Sequence, residues 1–340
     1  MKQQLQPVSD SADWTGQQLA SIDGWQHTLT KPEIDSLVAM AANVQPQLDS
    51  GADNLIKLDR KAFDPGAFCQ PLKKIYQQLK EGCGVALIRG LPVHELSPLV
   101  TATIYWGIGR HLGDAMPNNP NGDMIGHVTD LGKSQADANS RGYQTREAMD
   151  YHCDQADLVG LLCVRTAKSG GISKVASSVT MYNTLLCDYP EFAEALAEPL
   201  CWSKHGEHAV GDKPYYTSPV FNFLDNKLCT SFGPKHIEKG HKLPGTKPLN
   251  DIQRAAIRQA EDIAEQQRYE MTLEVGDMQF LNNYVTLHTR SAYVDFDDPA
   301  KKRLLWRLWL MNPAIRSRTG YSKQWQKGVQ LGQSNARIVL

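Results

Sequence analysis

Much that would advertise a function is missing from this chain. No stretch of its 340 residues reaches the roughly 18 consecutive apolar positions of a membrane span, so no membrane association is expected. The opening MKQQLQPVSDSADW carries no apolar leader core, and a cytoplasmic location is the default expectation. Net charge is also lacking: 36 Lys and Arg stand against 37 Asp and Glu, a formal balance of -1. The longest basic run, Lys301 to Arg303, lies beside Asp295, Asp297 and Asp298, whereas a nucleic-acid binder needs a broad positive face. No nucleic-acid partner is therefore expected. Cysteine is sparse and scattered, at 69, 83, 153, 163, 187, 201 and 229, an odd count without a CxxC pair. That excludes a disulfide framework and a cysteine-ligated zinc. There is no internal repeat and no linker-like shift in composition. The GIGRHLG stretch at 107–113 lacks GxGxxG spacing and sits in a helical pattern, which excludes a dinucleotide loop.

What is present is an ordinary globular composition, 41% hydrophobic and 21% charged, long enough to enclose a site. Residues 1–30 read as a loosely ordered lead-in with isolated Trp14 and Trp25. Helical spacing predicts a helix from Pro32 to Ala42, another over Leu72 to Leu79 and a third over 96–112; Val85 to Ile88 reads as a strand. The Gly-, Asn- and Asp-rich segment 117–146 is long for a bare loop and suggests a lid or rim. From Met149 onward come many short extended runs: DLVGLLCVR, SKVASSV, PVFNF, KLCTSF, MTLEV, MQFLN and RLLWRLWLM. Helical interruptions fall at Thr180 to Leu186, Pro190 to Ala197 and Asp251 to Gln267. This pattern predicts a mainly β sandwich or barrel with a helical N-terminal portion, in a single domain over 1–340.

The stretch DYHCDQAD, residues 150–157, places His152 and Asp154 on one face of an extended segment with Cys153 on the other. Such a pair can chelate one ion, or be only a polar patch on a strand edge. A third ligand is best supplied by His288, in GDMQFLNNYVTLHTR, where a strand-like run ends at Asn282 and Asn283. His111, His127, His205, His208, His236 and His241 read as surface or packing histidines. Two imidazoles and a carboxylate suit non-haem Fe(II), leaving coordination positions open. Zinc can take the same three side chains and activate water, so a zinc-dependent hydrolase stays open as the alternative.

In KRLLWRLWL, Arg303, Leu305, Arg307 and Trp309 share one face of a strand, and Leu304, Trp306, Leu308 and Leu310 the other. Two arginines on so apolar a strand need anionic partners. Guanidinium groups hold carboxylates through paired, charge-assisted hydrogen bonds, which fits the far end of a dicarboxylic cosubstrate. An internal salt bridge to Asp295 or Asp297 is the structural alternative.

These elements, in this order, resemble the Fe(II)- and 2-oxoglutarate-dependent oxygenases of the taurine dioxygenase and clavaminate synthase-like superfamily. The similarity runs over roughly residues 80–312: YHCDQADLVGLLCV, GGIS at 170–173, NNYVTLHTRSAYVDF and KRLLWRLWL. The resemblance implies a double-stranded β-helix, or jelly roll, as the catalytic region. It implies His152, Asp154 and His288 as iron ligands, Arg303 on the far carboxylate of 2-oxoglutarate, and Ser173 as a hydroxyl that assists it. Arg307 is similar in placement to an arginine that contacts an anionic substrate. Fe(II), 2-oxoglutarate and dioxygen are the implied cofactor and cosubstrates. Oxidative decarboxylation to succinate and CO2 would be coupled to hydroxylation of an unactivated C–H bond in a small, acidic or amino-acid-like metabolite. Retention of Asp154 argues against a halogenating variant. Arg141, Tyr143 and Asn283 are weaker substrate-side candidates, and Asp157 is expected to make a structural bond. A homo-oligomer is compatible with the sequence, which carries no signal for one.

Overall fold

The run LVGLLCVR forms the strand Leu158–Arg165 inside the largest sheet, because nearly every side chain along it is apolar. A strand apolar on both faces has to be covered from both sides. In this computed structural model, which describes residues 5–48, 51–134, 141–208, 211–317, 320, 323, 329 and 336–340, Met278–Asn282 flanks it on one edge and Leu304–Met311 on the other, both antiparallel. Val85–Arg89 and then Gln26–Thr28 extend the sheet past Met278–Asn282, the outermost pairing being parallel. Asp114–Met116 and Gly126–Val128 both pair with Leu304–Met311, which makes seven strands. A second, antiparallel sheet has the order Tyr269–Met271, Ser173–Ser177, Thr286–Arg290.

Side chains alternate across Leu304–Met311 as a strand requires. Leu304, Trp306, Leu308 and Leu310 enter the larger hydrophobic core. Leu305 and Trp309 enter a smaller one, which also contains Val159 and Cys163 of the large sheet and Val175 of the small one. Arg303 and Arg307 share the parity of the second set, so both belong to the side on which the two sheets meet.

The expectation of a mainly β chain is corrected to a mixed fold. Eight α-helices lie among the described residues, three of them where helical interruptions of the second half are expected from the sequence. Ser178–Asp188, Pro190–Ala197 and Asp251–Gln266 pack on one another in the second half. The last buries Ala256, Ile257, Ala260, Ile263 and Ala264 at helical spacing, and Asn250 and Gln253 cap it reciprocally. The described sheets are separate and are not closed into one barrel, since no strand of the small sheet pairs with a strand of the large one.

The described part of the lead-in is also corrected. Trp14 and Trp25 are buried, and their indole N–H groups donate to the carbonyls of Cys83 at 2.8 Å and Leu19 at 3.0 Å. Large aromatic rings, each with its one donor satisfied, tie the segment down. The 117–146 region contains the strand Gly126–Val128 and a short turn at Gly142–Gln144; residues 135–140 lie outside the described residues.

Candidate active site

Asn283, Tyr284 and Val285 carry the chain from the large sheet to the strand Thr286–Arg290, and this turn delivers His288 to the inter-sheet space. His152 faces it through two reciprocal backbone hydrogen bonds of 3.0 and 2.9 Å, which bring the imidazole centroids to 4.3 Å. Asp154 returns two residues later, its Oδ2 lying 3.8 Å from His288 Nε2. One ligand atom from each of the three lies within 4.8 Å of the others, the only such group among the described residues.

The donor set fits a divalent transition metal. His152 Nδ1 lies 2.9 Å from the Asp150 carbonyl, to which it can only donate, so Nε2 is the nitrogen left to meet a metal. Burial, reinforced by His152, pushes His288 down to about 3, so this imidazole is neutral. Burial alone would raise the Asp154 carboxyl, but Arg307 and then His288 and His152 outweigh it and hold it at about 2. Asp154 Oδ2 is buried without a hydrogen-bond partner, as a ligand atom awaiting a cation would be.

The turn that carries Asp154 is pinned by buried amides. The Asp154 N–H donates to Asn283 Oδ1 at 3.1 Å, and Asn283 Nδ2 donates to the Ala156 carbonyl at 2.9 Å. Both ends of the Asn283 amide are thus committed to backbone. Asp157 is fully buried and accepts from the Tyr284 hydroxyl and the Asn312 N–H, each at 2.6 Å.

Beside the three ligands lies a cavity lined by Ser173, Arg290, Arg303, Arg307 and Tyr143 among apolar residues such as Leu161 and Leu273. Arg303 is buried, and its Nη1 has no hydrogen-bond partner. Its backbone N–H, not its guanidinium, takes Asp295 at 2.8 Å; the guanidinium stacks on Tyr293 at 5.1 Å. Gly171 has φ +71, and a Cβ there would come within 3.1 Å of Arg303 Nε, so the GGIS turn has to be glycine for the arginine to lie against it. The Ser173 hydroxyl donates to Gln279 Oε1 at 3.2 Å. Arg307 reaches Asp154 Oδ1 at 3.4 Å and is sandwiched by Tyr143 and Trp309, both at 4.8 Å. Arg141 pairs with Glu207 and borders an adjoining chamber that also touches His152 and Asp154.

Sequence reasoning missed Arg290. It is buried in the same cavity, stacks on Tyr293 at 4.6 Å and donates to the Thr145 and Gly142 carbonyls. Strand parity was the available signal, since Arg290 lies two residues after His288. His205 and His236, read as surface or packing groups, pack against each other at a centroid distance of 4.1 Å and line the chamber beside His152.

Two imidazoles and one carboxylate, with buried guanidiniums alongside, define a non-haem Fe(II)- and 2-oxoglutarate-dependent oxygenase acting on a small molecule. The chain belongs to the taurine catabolism dioxygenase TauD, TfdA family, which it matches over residues 47–309. It is 31% identical over 311 residues to the FR-33289 synthase of Streptomyces rubellomurinus, covering 89% of this chain and 90% of that protein. Its fold is similar to asparagine oxygenase crystallised with Fe(II), 2S,3S-3-hydroxyasparagine and succinate, with a TM-score of 0.67 and 18% identity, covering 87% and 98% of the two chains. It is also similar to the non-heme iron oxygenase OrfP in complex with Fe, succinate and (3S)-hydroxy-L-Arg, with a TM-score of 0.64 and 12% identity, covering 90% and 99%. Membership of an oxygenase family removes the zinc-hydrolase alternative.

Proposed function

We propose that the protein hydroxylates an unactivated C–H bond of a small, anionic, amino-acid-like metabolite, with succinate and CO2 as co-products. One observation carries the anionic part. The cavity beside His152, Asp154 and His288 is lined by Arg290, Arg303 and Arg307, and Asp154 is the one carboxylate among its described lining residues. Three guanidiniums against one carboxylate leave an excess of two positive charges; Fe(II) adds two and 2-oxoglutarate removes two. A substrate with an acidic group offsets part of the two positive charges that are left. The amino-acid-like part is supported by the hydroxylated asparagine and arginine in the crystals of asparagine oxygenase and OrfP.

In this reading His152, Asp154 and His288 hold Fe(II), which with 2-oxoglutarate and dioxygen supplies the oxidising power. The chain's own residues bind and orient. Arg303, with its unpartnered Nη1, takes the far carboxylate of 2-oxoglutarate. Ser173 adds a second contact once its hydroxyl turns from Gln279. Arg307 meets the acidic group of the substrate while its other side steadies Asp154. Arg141 and Tyr143 border the entrance, and Asn283 positions Asp154 instead of touching substrate. The large and small sheets serve as the two walls of a double-stranded β-helix over about 80–312, within one domain covering 1–340. Seven free cysteines support a reducing, cytoplasmic setting.

The test is a screen of small organic acids and amino acids against purified protein with Fe(II) and 2-oxoglutarate, reading succinate and product mass. At least one anionic compound is expected to stimulate succinate formation and to gain one oxygen atom. Arg307→Met should raise KM for that compound and leave 2-oxoglutarate affinity near wild type. Stimulation by neutral compounds alone overturns the reading.

A further inference from the structure

Opposite chemistry sits in the chamber that adjoins the arginine-lined cavity. His205 lies just after the strand Leu200–Ser203 and His236 on the helix Pro234–Gly240; both border the chamber that His152, Asp154, Tyr143 and Arg307 also line. The two imidazoles meet edge to face at a centroid distance of 4.1 Å, with His205 Nε2 2.9 Å from His236 Nδ1. Among the charged groups close by, Arg141 pairs with Glu207 and Lys235 with Asp150 at 3.6 Å.

Two neutral imidazoles in one hydrogen bond share a single proton, so its position fixes both tautomers. In the tautomer in which His236 Nδ1 is the acceptor, the shared proton sits on His205 Nε2. His205 is then the donor through Nε2, and its Nδ1 keeps a lone pair. That Nδ1 is buried and has no hydrogen-bond partner. The residue is only 8% exposed, so bulk water does not serve the atom freely. His205 is also held at φ +49, a left-handed conformation that a non-glycine residue adopts only under constraint, with its N–H donating to Ser203 Oγ at 3.1 Å. Burial, helped by Arg141 and Lys239, holds His205 down to about 3, and burial holds His236 well below its ordinary value, so neither ring is a cation. Strained backbone and an orphaned buried acceptor on one residue at the rim of a site point to a ligand.

We propose that His205 is a specificity-determining residue, whose Nδ1 accepts a hydrogen bond from an N–H or O–H donor of the substrate while His236 fixes the tautomer. Resting on the function proposed above, this makes the substrate bifunctional: an acid at Arg307 and a hydrogen-bond donor at His205. A neutral acceptor selects a donor without attracting a second anion, so simple dianions are discriminated against.

The experiment uses the full chain loaded with Zn(II) and 2-oxoglutarate. ω-Aminocarboxylates from glycine to 6-aminohexanoate are titrated against amine-free carboxylates of equal length, by calorimetry and by 15N NMR of labelled histidine. The expected wild-type spectrum has a pyridine-like Nδ1 at His205 that shifts when the preferred amine is added. At least one aminocarboxylate should bind about tenfold more tightly than its counterpart, the worth of one well-made hydrogen bond. His205→Ala should abolish that preference and leave 2-oxoglutarate affinity unchanged. His205→Asn, which tolerates the left-handed backbone and offers an amide oxygen, should restore part of it. A protonated Nδ1 at His205 overturns the proposal, and so does a preference absent in the wild type or surviving in His205→Ala. Carboxylates that bind without regard to the amine defeat this inference alone, whereas no binding by either series defeats the anionic reading beneath it.

Discussion

Replacing Arg303 by Met separates a cosubstrate anchor from a structural arginine, because the two roles give opposite signs. The guanidinium is 6% exposed, its Nη1 has no partner, and its contact with Asp295 runs through the backbone, which Met retains. Burial lowers its pKa, with Tyr293, Cys163 and Asp295 only partly opposing. What folding gains from the charge is chiefly the Tyr293 stack, about 0.5–2 kcal/mol, set against the desolvation of an ion without a bound counter-charge. Arg303→Met should therefore leave stability within about 1 kcal/mol of wild type, or raise it. A two-pronged guanidinium–carboxylate pair contributes about 2–4 kcal/mol to binding, so 2-oxoglutarate affinity should fall roughly 30- to 800-fold. Urea denaturation gives the first quantity, and anaerobic calorimetric titration of the Fe(II)-loaded protein the second. Binding within threefold of wild type, or a stability loss beyond about 3 kcal/mol, would refute the reasoning.

Asn283→Ala strips two hydrogen bonds from the Asp154 turn. Thermal melts should give a loss of about 2–3 kcal/mol, and Fe(II) titration an affinity lower by about 10- to 100-fold. Burial first, then the acidic neighbours Asp150 and Glu238, raises Glu261 from 4.5 to about 7. Its folded pKa exceeds the unfolded one, so its contribution is complete below about pH 4.5 and fades as pH rises through about 7. Glu261→Gln should flatten that decline in a pH series of melting temperatures; a slope identical to wild type rules the assignment out. Asn250→Ala removes the cap of Asp251–Gln266, with an expected cost of about 1 kcal/mol in the same melts and no change in the affinity for 2-oxoglutarate.

Local periodicity carried much of the element pattern. Helical spacing marks Lys31–Val44, Cys69–Glu81 and Pro98–Leu112, and alternation marks Leu304–Met311, each within a few residues of where it forms. These signals are short-range, since a strand or helix writes its own repeat into neighbouring residues. The lead-in was misjudged because what orders Trp14 is the carbonyl of Cys83, and no local pattern records a partner 69 residues away. Arg290 went unnoticed for the same reason: a buried polar group is recognisable only once its surroundings exist.

By itself the sequence determined the chemistry on offer: an imidazole and a carboxylate two residues apart, a distant second imidazole, and arginines spaced to share one strand face. Those are properties of residue type and of the two-residue repeat of extended chain. Only the tertiary structure decided that His288 would stand against His152, that Arg307 would lie beside Asp154 while Arg303 kept an open nitrogen, and that Arg290 would join them. Such meetings depend on which sheet each strand enters and on what buries it. Burial then sets the charge state of every group it encloses, and burial belongs to the folded whole and not to any segment of the chain.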